Sequence, residues 1–86
     1  MDSYRLFFKK NAVKELRSVA HPYLRLIVQK IHSLQMHPRP VDAKILKGED
    51  RYYRIRQGDY RIVYEINDKE QSVTVIKIGH RREVYD

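Results

Sequence analysis

The chain has 86 residues, 42% of them hydrophobic, and its 18 Lys and Arg against 11 Asp and Glu give a formal net charge of +7. This length predicts one domain over residues 1–86 with a thin core, and the hydrophobic content excludes a disordered chain. The absence of cysteine excludes disulfides and thiolate metal sites and fits a cytoplasmic protein. No apolar run approaches the ~20 residues of a membrane-spanning helix, and MDSYRLFFKK lacks a signal-peptide pattern. The basic charge favours a polyanionic or an acidic partner.

The first half of the chain predicts one strand and a pair of helices. YRLFF at 4–8 is short and β-prone, which is typical of a strand. Asn11 can cap a first helix, and HP at 21–22 ends it; Pro22 suits the first turn of a second helix, which MHPRP at 36–40 stops. The apolar residues recur at three- and four-residue spacing and predict core-facing stripes: Ala12, Val13, Leu16, Val19 and Ala20 in the first helix, and Leu24, Ile27, Val28, Ile31 and Leu34 in the second.

The second half predicts a polar connector, residues 39–50, followed by three strands at 51–57, 60–66 and 73–78. Their turns, Gly58-Asp59 and NDKEQ at 67–71, make these strands antiparallel. The predicted fold is therefore α+β with the order β-α-α-β-β-β, and the helix hairpin covers one face of the sheet.

The stretch RYYRIRQGDYRIVYE at 51–65 predicts a tight hairpin in which side chains alternate between two faces. With a two-residue turn at Gly58-Asp59, Ile55 pairs with Ile62, and Tyr53 pairs with Tyr64, on an apolar face. A turn at Gln57-Gly58 keeps the same faces, whereas a three-residue loop would spoil the apolar pairing. The sequence thus favours an even loop and leaves two registers open.

The other face of this hairpin collects arginines. Gly58-Asp59 sets Arg56 opposite Arg61, and the other even turn sets Arg54 opposite Arg61. Like charges in these positions destabilise a hairpin. Arginine presents a planar fork that matches phosphate, and with Tyr52 nearby the set suits a nucleic-acid backbone with stackable bases. A solvated face screened by salt is the alternative.

The C-terminus, GHRREVYD at 79–86, forms a second polar cluster. His80, Arg81, Arg82 and Tyr85 follow a strand that should pair with the strand at 60–66, so the tail can reach the arginines. One histidine beside two arginines and a tyrosine could act as an acid–base set on a phosphodiester. A polar tail anchored by a tyrosine is the simpler interpretation, and both stay open.

The runs YYRIRQGDYRIVYEI and VIKIGHRREVY, in this order and spacing, resemble the RelE-type toxins of the RelE/ParE superfamily, which are ribosome-dependent mRNA endonucleases. The resemblance covers nearly the whole chain. It implies that the site residues are Arg54 and Arg56 on one strand, Arg61 in DYRIVY, and Arg81 and Tyr85 in the tail. RNA-binding roles for Tyr52 and Arg82 are expected beside them.

Two departures from the family pattern bear on the chemistry. The positions of Arg54 and Arg56 are often lysine in RelE toxins. Because arginine cannot lose its proton, these residues should stabilise charge rather than move protons. His80 occupies a position where other members have a different residue, and since histidine is a common general acid or base, it is a rival to Tyr85 for proton transfer.

The resemblance also implies the activity and the partners. The expected activity is metal-independent endoribonuclease cleavage of mRNA in the ribosomal A site, restrained by a cognate antitoxin. We expect no cofactor, no membrane and no metal, since His21, His32 and His37 share no ligand spacing with an acid cluster. The alternatives are a ParE-like toxin that poisons DNA gyrase and a non-catalytic RNA- or ribosome-binding module.

Overall fold

The computed structural model describes residues 3–46 and 51–80, which form two helices and a five-stranded sheet. The elements, in chain order, are β1 (Arg5–Phe8), α1 (Lys10–Arg17), α2 (Tyr23–Ser33), β2 (Lys44–Ile45), β3 (Tyr52–Gln57), β4 (Tyr60–Asn67) and β5 (Ser72–His80). The α+β class is confirmed, as are the strand near the N-terminus, the helix hairpin and the three long strands. Neither helix in the described part of the chain has the length and apolar content needed to cross a bilayer.

The sheet has the strand order β1-β5-β4-β3-β2. β3 pairs with β4 and β4 with β5, both antiparallel, as the two turns predict. β1 lies on the far side of β5 and runs parallel to it. A parallel pair needs a long connection, and the elements between β1 and β5 supply one.

The polar connector contains a strand that the sequence analysis missed. β2 pairs antiparallel with β3, with Lys44 opposite Arg54 and Ile45 opposite Tyr53. A strand of two residues is too short to show the alternation of apolar and polar side chains that predicts a strand. β2 is therefore recognised only by its pairing with β3. Residues 47–50 of the connector lie outside the described residues.

The start of α1 also differs from the sequence-based expectation. The N-cap position is Lys9, which makes no side-chain capping bond, and Asn11 lies inside the helix. The capping role predicted for Asn11 is therefore wrong. Lys9 still belongs to the sheet, because its N–H donates to the carbonyl of Val75 at 2.8 Å, and the chain enters the helix directly after that bond.

The core lies between the helix pair and one face of the sheet. Val28, expected in the core-facing stripe of α2, is 38% exposed, so that stripe is narrower than predicted. The buried residues of the sheet are Tyr53, Ile55, Ile62, Tyr64, Ile66, Val73, Val75 and Ile78, and those of the helical layer are Ala12, Val19, Ile27, Ile31 and Leu34.

Candidate nucleic-acid interface

The β3–β4 turn fixes the register of the arginines. It is the two-residue turn Gly58-Asp59, and Gly58 has a φ of 61°. Arg56 lies directly opposite Arg61, so the alternative register with Arg54 opposite Arg61 is wrong. We call the sheet face that carries these three residues the arginine face. The helices pack on the other face.

The three arginines differ in their exposure to solvent. Arg56 is exposed and Arg61 is half-buried, whereas Arg54 is only 4% exposed. A solvated face, the alternative interpretation of this set, therefore does not describe Arg54. A buried guanidinium has lost much of its hydration, which is costly, and it cannot sample many positions. Arg54 is thus held in place before any anion arrives, while Arg56 and Arg61 are more accessible to solvent.

Two lysines join the arginine face, and the sequence analysis assigned a role to neither. Cross-strand partners share a face of the sheet. Lys44 on β2 is opposite Arg54, and Lys77 on β5 is opposite Val63, the other partner of Arg54. In the sequence, Lys44 and Ile45 are a short pair within the polar connector, and they indicate a strand only once their pairing with β3 is known.

Tyr52 lies at the other end of β3 on the same face, opposite Glu65. The guanidinium carbon of Arg51 stands 5.2 Å from the centre of the Tyr52 ring, and Arg51 Nε is 3.4 Å from a carboxylate oxygen of Glu65. A guanidinium over an aromatic face is an attractive cation–π contact. Glu65, the only acid in line with the arginines of the hairpin, is therefore already engaged by Arg51.

His80 lies on the opposite side of the sheet from Arg61. Its strand partner is Tyr60, whereas Arg61 faces Gly79. The His80 ring meets the Tyr60 ring edge-on with centroids 5.7 Å apart, and its Nε2 is 4.0 Å from Asp59 Oδ2. The structure therefore does not bring His80 together with Arg61.

A β-bulge in β5 explains this position. The register skips between Val63 and Tyr64, whose partners are Lys77 and Val75, so Ile76 is an extra residue. An extra residue reverses the side-chain alternation beyond it. It turns Ile78, which is 1% exposed, into the core in place of Lys77, and His80 follows Ile78 to the helix-covered side.

The remaining candidates of the tail, Arg81, Arg82 and Tyr85, lie outside the described residues. Their roles stay predictions. The structure does show the residues that directly precede them: β5 extends to His80, and Gly79 lies opposite Arg61.

A network of polar contacts on the helix side holds the connector that carries β2. The Tyr64 hydroxyl donates to the carbonyl of Pro38 at 2.7 Å, and Arg39 Nε donates to the Tyr53 hydroxyl at 2.8 Å. Lys30 on α2 pairs with Asp42 at 2.8 Å. These contacts position the residues just before β2, and through β2 they place Lys44 beside Arg54.

Arg39 also binds the turn between β4 and β5. Its two terminal nitrogens donate to both carboxylate oxygens of Asp68, at 3.1 and 2.7 Å, and the Tyr4 hydroxyl donates to Asp68 at 2.6 Å. Arg39, and after it Tyr4, lower the pKa of Asp68, and the hydrogen bond to Asp68 raises the pKa of Tyr4. Burial raises the pKa of the Tyr64 phenol.

The fold and the site define a class: a small basic α+β protein in which an arginine-rich sheet face lies opposite a helix hairpin. A family model described as the ParE toxin of type II toxin-antitoxin systems, parDE, matches residues 6–85. The chain belongs to this toxin family, and its relatives identify it as a RelE-type toxin.

Toxin RelE3 of Methanocaldococcus jannaschii is 33% identical, with 95% of this chain and 96% of the relative covered. The mRNA interferase toxin RelE of Escherichia coli K12 is also 33% identical, with 96% and 90% covered. The crystal structure of the archaeal RelE–RelB complex from Pyrococcus horikoshii matches with a TM-score of 0.83 at 30% identity, with 95% of this chain and 99% of that chain covered.

Proposed function

We propose that this toxin is a ribosome-dependent mRNA endonuclease that cuts mRNA in the ribosomal A site. The observation that carries the proposal is the direct opposition of Arg56 and Arg61. Like charges so placed weaken a hairpin, and a local conflict of this kind is expected at functional sites. An RNA phosphate bound at this pair would reduce the repulsion between the two guanidinium groups. The E. coli relative named as an mRNA interferase supports the same activity.

The proposed reaction uses the 2′-OH of the RNA as its nucleophile. Attack on the adjacent phosphorus gives a phosphorane with additional negative charge. The P–O5′ bond then breaks and the leaving 5′ oxygen takes a proton from solvent, which gives a 2′,3′-cyclic phosphate and a 5′-OH. Arg61 and Arg81 would donate to the developing charge, which stabilises the transition state more than the ground state. Because the nucleophile belongs to the substrate, this step needs no metal-activated water.

Arg54 and Arg56 would hold the RNA backbone, with Tyr52 and Arg82 on adjacent nucleotides. Something must also accept the 2′ proton, and arginine cannot. His80 lies on the side of the sheet away from Arg61, so we assign this proton to Tyr85 and leave His80 outside the reacting group. Nearby guanidinium charge favours the phenolate form of a tyrosine.

Two macromolecular partners follow from this proposal. A site made of a few charges provides little positioning of its own, and positioning contributes a large part of catalysis, so the ribosome would orient the mRNA. The second partner is a cognate antitoxin. The P. horikoshii relative was crystallised as a RelE–RelB complex, and a net charge of +7 suits an acidic partner that folds on this surface.

The test is to add the protein to a translating extract and to map mRNA 5′ ends. We expect cuts inside codons positioned at the A site, and a loss of about 10²–10³-fold in cleavage rate for Arg61→Ala, because one donor to a developing oxyanion contributes this much. Arg25→Ala, on the exposed surface of α2, serves as the matched control. Cleavage of Arg61→Ala at the wild-type rate would refute the assignment.

The matching family model is named for ParE toxins, which keeps one other candidate from the sequence analysis, a ParE-like toxin that poisons DNA gyrase. The combined arginine and tyrosine set argues against it, since ParE-type toxins generally lack this set. A supercoiling assay separates the two: inhibited supercoiling without mRNA cuts would select gyrase. Ribosome binding with neither effect would indicate a non-catalytic module.

A further inference from the structure

Within residues 3–46 and 51–80, no strand pairs with the second half of β5 on the β1 side of the sheet. β1 pairs only with Ser72–Val75, and the last hydrogen bond runs from Lys9 N–H to the carbonyl of Val75. β5 nevertheless continues to His80. Along this part of the strand the neighbouring element is α1, which begins at Lys10 immediately after β1.

One side chain of α1 does what a neighbouring strand would do here. Glu15 Oε1 accepts a hydrogen bond from the backbone N–H of Ile78 at 3.0 Å, and its Oε2 accepts one from Lys77 Nζ at 2.8 Å. The first bond satisfies a strand-edge donor that β1 no longer reaches. A bond to a charged acceptor is roughly twice as strong as one between neutral groups, and the Glu15 side chain is only 28% exposed.

The end of α1 holds Glu15 in this position. The helix stops at Arg17, and Ser18 bonds to the Glu15 carbonyl through both its N–H, at 3.2 Å, and its hydroxyl, at 2.8 Å. Val19, directly after it, is buried in the core. The carboxylate is therefore presented from a fixed helix end rather than from a mobile loop.

We propose that Glu15 is a positioning residue for the reaction, which acts by clamping the end of β5 through Ile78. Ile78 precedes Arg81 by three residues, so the clamp fixes the strand end from which the two chemical groups of the tail, Arg81 and Tyr85, continue. Lys77 links the same carboxylate to the arginine face. The inference rests on the proposed endonuclease function, which gives Arg81 and Tyr85 their roles.

The test compares Glu15→Ala with Glu15→Gln in single-turnover cleavage on programmed ribosomes. A displacement of about 1 Å in a reacting group can slow a reaction about 100-fold. We therefore expect Glu15→Ala to lower kcat by about 10- to 100-fold with KM unchanged. Glu15→Gln keeps an oxygen for the Ile78 N–H and should restore most of kcat. Glu70→Ala, which removes an acid from an exposed pair with Arg5, is the control and should cleave like wild type.

A second measurement tests the clamp independently of catalysis. In the free protein, amide exchange at Ile78 should rise about tenfold in Glu15→Ala, while the amide of Ile62 on β4 is unaffected. A wild-type kcat for Glu15→Ala, a parallel fall of kcat in Glu15→Gln, or unchanged exchange at Ile78 would each overturn the inference. If the wild-type protein does not cleave, the proposed function fails, and the clamp is then judged by exchange alone.

Discussion

Arg61 and His80 lie on opposite sides of the sheet, although His80 directly follows Gly79, the strand partner of Arg61. Arg61 faces Gly79, and His80 faces Tyr60. In a pleated strand, neighbours in sequence point in opposite directions, so the shift of one residue decides which side chain meets the substrate. This placement gives Arg61 a chemical role in the proposal and gives His80 a packing role beside Tyr60.

The choice between Tyr85 and His80 as the proton acceptor can be tested directly. We expect Tyr85→Phe to lose about 10²-fold or more of the cleavage rate, because proton transfer by a positioned group contributes 10²–10⁴-fold. His80→Gln should cleave at close to the wild-type rate, since its ring contacts Tyr60 rather than the arginine face. Single-turnover cleavage of ribosome-bound mRNA measures both. If His80→Gln lost more activity than Tyr85→Phe, the proton acceptor would be His80 rather than Tyr85.

At the scale of elements, the β3–β4 hairpin sets the geometry of the arginine face. Gly58 has a φ of 61°, and Asp59 has no positive φ, which is the pattern of a type II′ turn with glycine at its first central position. The twist of this turn matches that of the flanking strands. The turn therefore fixes which arginines are opposed and keeps the strands paired against their repulsion.

Gly58→Ala tests the contribution of this backbone conformation. A Cβ at Gly58 would meet no atom within 4 Å, so the cost is purely conformational. We expect a loss of roughly 1–2 kcal/mol in the free energy of unfolding, measured by urea denaturation. A chemically synthesised chain with D-alanine at position 58 is the control and should keep wild-type stability. Equal destabilisation by both isomers would contradict the conformational explanation.

At the scale of the whole molecule, the Asp68 carboxylate joins parts of the chain that are distant in sequence. Tyr4 precedes β1, Arg39 belongs to the connector, and Asp68 lies in the β4–β5 turn. Arg39 also contacts Tyr53 on β3. A bidentate guanidinium–carboxylate pair with an additional phenol donor restricts all of these segments together.

The stability that Asp68 provides should depend on pH in a defined direction. Its pKa is lower in the folded protein than in the unfolded chain, so its contribution is present above about pH 4, the ordinary pKa of aspartate, and is lost as the pH falls through the folded-state pKa. Asp68→Asn should cost roughly 0.2–1 kcal/mol at pH 7, since the pair is largely exposed, and this difference should shrink below about pH 4.

Urea unfolding between neutral and acid pH measures this dependence. Glu70→Gln is a suitable control, because its partner Arg5 lies 3.7 Å away and both side chains are largely exposed. A stability difference for Asp68→Asn that stays constant at every pH would show that the carboxylate charge is not involved.

The sequence predicted the hairpin well because Ile55 and Ile62 must face the core together, and few turns allow this. It could not predict β2, since Lys44 and Ile45 form a strand only against β3. It could not place β1 either, because a parallel neighbour is chosen by the packing of the intervening helices. The burial of Arg54, 4% exposed, was missed for the same reason: burial depends on neighbours that are not adjacent in sequence.

The sequence alone determined the class of fold and the collection of Arg54, Arg56 and Arg61 on one face, because side-chain alternation and turn chemistry are local properties. The family was indicated separately, by the resemblance to RelE-type toxins. The tertiary structure decided the register of the arginines, the burial of Arg54 and the side on which His80 lies. The side on which His80 lies follows from the bulge at Ile76, which brings Ile78 instead of Lys77 into the core. Burying an isoleucine while leaving a lysine in contact with water is favourable, and that choice depends on the helices packed above the sheet.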